Sequence, residues 1–170
     1  LTLSTQNYGA TRGDGKFDVD GASGTLAYYA HLGSSLPETP WLPDEDGVQL
    51  GRTARFWAQH VLTPRPGVAV HINAFNFPVW GMLEKVAVNW MAGVPALVKP
   101  ATVTSFLTEA VVAAIHDSGI LPPGALQLVC GSARNILDHV DERDVVTFTG
   151  SADTGRLLKS HPRIAAHSVP

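Results

Sequence analysis

Val68-Ala-Val-His-Ile-Asn-Ala-Phe-Asn-Phe-Pro78 decides the fold. It runs as an apolar strand, stops at Asn76-Phe77-Pro78, and passes at once into a helix-patterned stretch. Over residues 79–92, Val79, Met82, Leu83, Val86, Ala87, Trp90 and Met91 recur at helical spacing and form one apolar face. Gly93 and Pro95 close that helix. The same unit then repeats. A strand at residues 96–99 precedes a helix at 103–117, where Phe106, Leu107, Ala110, Val111, Ala114 and Ile115 share a face. A strand at residues 125–130 leads through Gly131 to a shorter helix at 133–139. A last strand at 145–148 runs through Thr149-Gly150-Ser151 into a final helix. This alternation predicts an α/β fold with a Rossmann-like, doubly wound parallel sheet. The strands read as continuous apolar runs, as burial on both faces requires.

Residues 1–64 differ in composition. Residues 9–24 are rich in Gly and Asp and predict a loop. Residues 25–32 predict a short helix closed by Gly33. Residues 36–47 carry Pro37, Pro40, Pro43 and acidic side chains, and predict a surface loop. Residues 54–62 predict a strand, with Pro64-Arg-Pro-Gly67 as the turn into the next one. The chain thus divides into a helical and hairpin segment at 1–64 and the sheet-forming part at 65–170.

The 170 residues are 45% hydrophobic and 16% charged, the composition of a globular domain with a real core. Net charge is −3 and no Lys/Arg stripe occurs, which argues against a nucleic-acid partner. One cysteine, Cys130, excludes a disulfide framework and a cysteine-based metal site. The seven His residues lack paired metal-ligand spacing, so no metal is expected. The longest apolar stretch, residues 77–98, is broken by Glu84, Lys85, Asn89 and Pro95, which argues against a membrane span. The start, Leu1-Thr-Leu-Ser4, carries no signal peptide and no initiator Met, and the chain reads as part of a longer protein.

Doubly wound sheets bind ligands beyond the carboxyl ends of their strands. Those ends hold residues 73–76, 99–102, 130–132 and 149–151. The Asn76 amide either shapes a turn or donates hydrogen bonds to an oxygen that becomes negative during a reaction. Gly150 and Ser151 either cap a helix or cradle a phosphate. Lys99, with Thr102 after the sharp exit at Pro100, is either a solvated cation or a contact to a nucleotide ribose or phosphate. Gly131-Ser-Ala-Arg-Asn-Ile136 stands where a dinucleotide fingerprint would, but lacks the G-x-G-x-x-G pattern of standard Rossmann dehydrogenases. Cys130 ends an apolar run and predicts a buried structural cysteine. His71 predicts a satisfied core or interface histidine, and Glu84 and Lys85 the polar side of their helix.

Asn76-Phe-Pro78, Gly93-Val-Pro-Ala-Leu-Val-Lys-Pro100 and Phe148-Thr-Gly-Ser-Ala-Asp-Thr-Gly155 occur in an order that resembles the aldehyde dehydrogenase superfamily. The segments Val70-His-Ile-Asn-Ala-Phe-Asn-Phe-Pro-Val-Trp-Gly-Met-Leu-Glu-Lys85 and Asp144-Val-Val-Thr-Phe-Thr-Gly-Ser151 are similar to one subgroup in particular. It is the aldehyde dehydrogenase part of PaaZ-type bifunctional phenylacetate-degradation proteins. A benzoyl-CoA-degradation subgroup is a close rival.

The resemblance implies the cofactor-binding part of an aldehyde dehydrogenase fold, incomplete, with residues 65–170 binding NAD(P). It implies attack of a cysteine thiolate on an aldehyde, hydride transfer to a nicotinamide, and release of the acid by a glutamate-activated water. Asn76 matches the family's oxyanion amide. Ile72, Asn73 and Phe75 match the strand end lining the cofactor, and Gly131 lies at another such end. Lys99 matches the lysine holding the adenine ribose, and Gly150 and Ser151 match the pyrophosphate contact. Many members carry Glu at the position of Thr102, where it grips the ribose 2′-hydroxyl. Thr102 would not repel a 2′-phosphate, so NADP is expected, with NAD also accepted. The family's catalytic cysteine and glutamate would lie beyond Pro170. A CoA-linked aldehyde substrate, a homo-oligomeric parent and a cytoplasmic location are further expectations. An acyl-CoA-forming relative on the same scaffold, or a non-catalytic nucleotide-binding module, are the competing readings.

Overall fold

The computed structural model describes residues 1–132 and 135–170. Helices α1 (Thr2–Tyr8) and α2 (Arg12–Gly33) come first. Strands β1 (Leu42–Gln49) and β2 (Trp57–Leu62) pair antiparallel in a sheet of their own. Then follow β3 (Ala69–Ile72), α3 (Trp80–Met91), β4 (Ala96–Lys99), a 3-10 turn at Thr102–Thr104 and α4 (Ser105–Asp117). The chain continues with β5 (Leu126–Leu128), a 3-10 turn at Leu137–His139, β6 (Val145–Phe148), α5 (Ala152–Lys159) and α6 (Pro162–His167). Among the described residues, no helix is long and apolar enough to cross a membrane.

The main sheet has the order β5-β4-β3-β6, and every neighbouring pair is parallel. The chain moves outward in one direction from β3 to β5, then crosses back to place β6 on the other side of β3. The sheet is therefore doubly wound, and its direction of winding reverses between β3 and β6.

Side chains alternate across a strand. Ala96 and Val98 of β4 join Met82, Leu83 and Val86 of α3, Leu107 and Val112 of α4 and Ala22 of α2 in one core. Val70 and Ile72 of β3 face the other way and pack with Leu137, Val140 and Val169, with Leu158 and Ile164 against them.

Four expectations need correction. The Gly- and Asp-rich stretch is not a loop, because residues 12–24 belong to the long helix α2. Thr11 caps that helix by accepting the Asp14 amide at 3.1 Å. Gly21 serves close approach: a Cβ there would stand 2.5 Å from the Trp80 ring on α3. Gly21→Ala is therefore expected to destabilise the chain by about 1–3 kcal/mol through overpacking. Gly24 has open space around it, so Gly24→Ala is expected to stabilise by about 0.5–1 kcal/mol. Urea midpoints check the pair, and equal shifts in one direction would refute the packing account.

The loop expected at residues 36–47 is partly strand, since β1 begins at Leu42. A two-stranded ribbon has free edges and exposed faces, so Pro43 and the acidic residues cost it little. Of the helix expected at residues 133–139, positions 133 and 134 lie outside the described residues, and only Leu137–His139 is helical, as a 3-10 turn. Cys130 is exposed rather than buried. The edge strand β5 ends at Leu128, which leaves Cys130 beyond the sheet.

Candidate functional site

The winding reverses between β3 and β6, and the carboxyl edge of the sheet at such a reversal is the usual ligand position in these folds. Register puts Ile72 between Lys99 on β4 and Phe148 on β6. Backbone bonds carry the alignment one residue further. The Asn73 amide donates to Lys99 O at 3.0 Å, the Thr149 amide to Ile72 O at 2.9 Å, and the Val129 amide to Val98 O at 2.9 Å. Ile72, Asn73, Lys99, Gly150 and Ser151 therefore share one edge, as the strand-end argument requires.

Lys99 is half-buried, and its Nζ takes no hydrogen bond or ion pair among the described residues. Thr102 opens the 3-10 turn that follows and is exposed. Gly131 has φ +110°, a conformation that favours glycine, and turns the chain after β5. Beside it lies a cavity of about 470 Å3 lined by Val129, Ser132, Asn135, Ile136 and His139. Ser151 is the N-cap of α5. Its hydroxyl accepts the Thr154 amide and donates to Thr154 Oγ1 at 3.0 Å. Capping thus occupies the hydroxyl, while no acceptor among the described residues takes the amides of Ala152 and Asp153. Those amides stand at the positive end of the helix and suit a phosphate.

Asn73 is 7% exposed, and neither Nδ2 nor Oδ1 of its side chain has a partner among the described residues. An unmet buried amide of this kind costs about 1–3 kcal/mol. Phe75 and Asn76 are exposed.

The turn carrying Asn76 is strained. Phe77 has φ 52°, in the left-handed region, although it is not glycine. It also precedes Pro78, which favours extended backbone at the preceding residue. Such a residue costs roughly 1–3 kcal/mol and persists only where its surroundings hold it. The Gly81 amide bonds Phe77 O at 2.7 Å, and Phe77 packs edge-on against Phe17 and Trp80 with centroids 5.7 and 6.1 Å apart. Asp18 of α2 accepts the Trp80 amide at 2.7 Å and the Val79 amide at 3.2 Å. Burial pushes the Asp18 carboxyl pKa up, opposed by these two bonds. No local sequence pattern marks Phe17 or Asp18 as part of the site. An acidic residue 61 positions upstream carries no local sign of being a helix cap.

Behind β3, His71 is a satisfied core histidine, as expected. Its Nδ1 lies 2.6 Å from Thr147 Oγ1 and its Nε2 2.8 Å from Asn89 Nδ2. Burial, then the nearby Lys85 ammonium, lowers its pKa to about 4. The ring is therefore neutral near pH 7. Asn89 donates to Nε2, and Nδ1 carries the proton that goes to Thr147.

Fold and strand-end geometry together define a doubly wound α/β unit whose strand ends align at the switch point. The chain belongs to the aldehyde dehydrogenase family, whose model matches residues 1–168. It is 52% identical over 167 residues to 3,4-dehydroadipyl-CoA semialdehyde dehydrogenase of Aromatoleum evansii, covering 98% of this chain and 32% of that protein. Among solved structures, proline utilization A of Bradyrhizobium japonicum is 30% identical with TM-score 0.76, covering 99% of this chain and 16% of that one. Succinic semialdehyde dehydrogenase of Streptococcus pyogenes superposes with TM-score 0.78 at 20% identity, over 99% of this chain and 34% of that one, a likeness of fold alone. The chain thus spans about a third of the first relative's length.

Proposed function

We propose that these residues form the dinucleotide-holding half of an NADP-dependent aldehyde dehydrogenase site. In a family-length polypeptide the site oxidises a CoA-linked semialdehyde to its acid. The observation that carries this reading is the alignment of Ile72, Asn73, Lys99 and Thr149, with Gly150-Ser151 next in the chain, at one carboxyl edge of the sheet. Bound there, a nicotinamide dinucleotide supplies the hydride acceptor. Lys99 holds the adenine ribose from β4, and Ile72, Asn73, Phe75 and Gly131 line the dinucleotide. Gly150 and Ser151 bring the first turn of α5 against the pyrophosphate, with the open amides of Ala152 and Asp153 as donors. Asn76 donates from Nδ2 to the oxygen that turns negative when a thiolate elsewhere in the polypeptide adds to the aldehyde.

The substrate class is supported by the name of the 52% identical relative, a CoA-linked semialdehyde dehydrogenase. That name favours a dehydroadipyl-type aldehyde over one made by ring opening in phenylacetate degradation. In this reading residues 65–170 hold the cofactor and residues 1–64 brace it. The exposed Trp41, Phe56, Trp57 and Val61 of the hairpin region supply a contact between copies. The enzyme works in the cytoplasm.

The NADP assignment is tested in the family-length enzyme by comparing kcat/KM with the two cofactors. NADP is expected to equal or exceed NAD. Thr102→Glu places a carboxylate against the 2′-phosphate and is expected to shift the ratio toward NAD by about tenfold or more, as a like-charge contact of 1–2 kcal/mol would. A wild-type NAD preference above about tenfold would overturn the assignment.

A further inference from the structure

Phe17 and Asp18, neighbours on α2, grip the residues that follow Asn76. Helix α3 has no cap of its own, because Val79 at its N-cap position makes no side-chain bond. The Asp18 carboxylate, 1% exposed, fills that role from another helix, with Oδ1 on the Trp80 amide and Oδ2 on the Val79 amide. Phe17 reaches past it to both Phe77 and Trp80, with centroids 5.7 and 5.4 Å away. Thr25, two turns further along α2, accepts the Trp80 indole N–H at 3.1 Å. Between these grips lies the left-handed Phe77, with Asn76 immediately before it.

We propose that Asp18 is a positioning residue for Asn76: by holding the start of α3, it keeps the strained turn aimed at the reacting carbonyl. The inference rests on Asn76 as the oxyanion donor. Three features carry it. Both carboxylate oxygens are used, which an amide cannot imitate, since it has one acceptor and its NH2 would face a backbone N–H. The bonds fall on the two residues after Pro78, so they set the direction in which the chain leaves the turn. The strain at Phe77 means that a released turn relaxes toward extended backbone and carries Asn76 with it.

A role limited to docking α2 on α3 predicts lost stability and nothing else, and a double-mutant cycle in the family-length enzyme separates the two. With aldehyde and cofactor saturating, Asp18→Asn is expected to lower kcat about 10- to 100-fold, the size of an ångström-scale misplacement. The KM for cofactor should change by less than about threefold, because Lys99, Gly131 and Ser151 lie on other elements and Ile72 and Asn73 are held by the bonds of the sheet. In an Asn76→Ala background the same substitution is expected to lower kcat by less than about threefold, since its target is gone. Phe17→Leu is a milder variant at a ring that is 57% exposed. It is expected to show a smaller kcat loss, about three- to tenfold, with the same dependence on Asn76. Thermal melts confirm that each variant is folded. Equal losses in the two backgrounds, or an unchanged kcat in folded Asp18→Asn, overturn the positioning role. If Asn76→Ala itself leaves kcat intact, the oxyanion reading fails first and the positioning role falls with it. An impaired Asn76→Ala beside an unaffected Asp18→Asn removes the positioning role only.

Discussion

Asn76→Ala in the family-length enzyme is expected to lower kcat about 100- to 1,000-fold, the loss of roughly 2.7–4 kcal/mol that follows removal of one oxyanion donor. The physical reason is differential binding. A neutral aldehyde oxygen gains little from the Asn76 amide, whereas the oxyanion formed on thiolate addition gains a donor already in place. The loss should therefore fall on kcat, with cofactor binding nearly unchanged, because the Asn76 side chain is assigned to the reacting oxygen and not to the cofactor. Asn76→Asp sharpens the test. An ionised carboxylate only accepts hydrogen bonds and repels an oxyanion, so it should be at least as damaging as alanine despite its near-identical shape. A kcat loss below about tenfold in Asn76→Ala, or an active Asn76→Asp, would return Asn76 to the role of turn former.

The second large effect concerns stability. His71 has a folded-state pKa lowered from 6.5 to about 4, first by burial and then by Lys85. Glu84, Lys85 and Tyr29 line the groove beside it, along with Asn89 and Thr147. When the chain unfolds, the ring regains its ordinary affinity for a proton. The unfolded state thus binds more protons between the two values. The stability that the neutral ring contributes is complete above pH 6.5 and is lost as pH falls toward 4. The full difference amounts to roughly 3 kcal/mol.

His71 pairs with Thr147 across β3 and β6, the two strands at the reversal of winding. Charging the ring removes the acceptor for Asn89 and places a cation near Lys85. The switch point is thus where acid should loosen the sheet first. Urea midpoints measured from about pH 7 to about pH 4 should fall for the parent chain. They should fall less for His71→Gln, which keeps a donor and an acceptor without titrating. Parallel slopes in the two proteins would sink the assignment.

Strand–helix alternation from Val68 onward was legible because each element buries one stripe or both faces against its neighbours, and burial imposes a local period. The observed β4, β6 and α3 agree with that period closely. The strand-end residues followed from the same reasoning, since a parallel sheet aligns its carboxyl ends whatever the loops do. Three glycines within residues 13–21 carry loop propensity, and the Trp80 ring that packs against Gly21 leaves no trace in the local sequence. Cys130 looked buried because the run before it is apolar, and only the early end of β5 exposes it.

By itself, then, the sequence determined the parallel sheet and the helices α3 and α4, since periodic burial and parallel pairing are written locally. Only the tertiary structure decided that α2 is continuous, that Phe77 is held in a left-handed conformation, and that Asp18 caps a helix 61 residues away. Those features depend on groups that meet only after folding. A cap, a close contact or a held strain has no period along the chain.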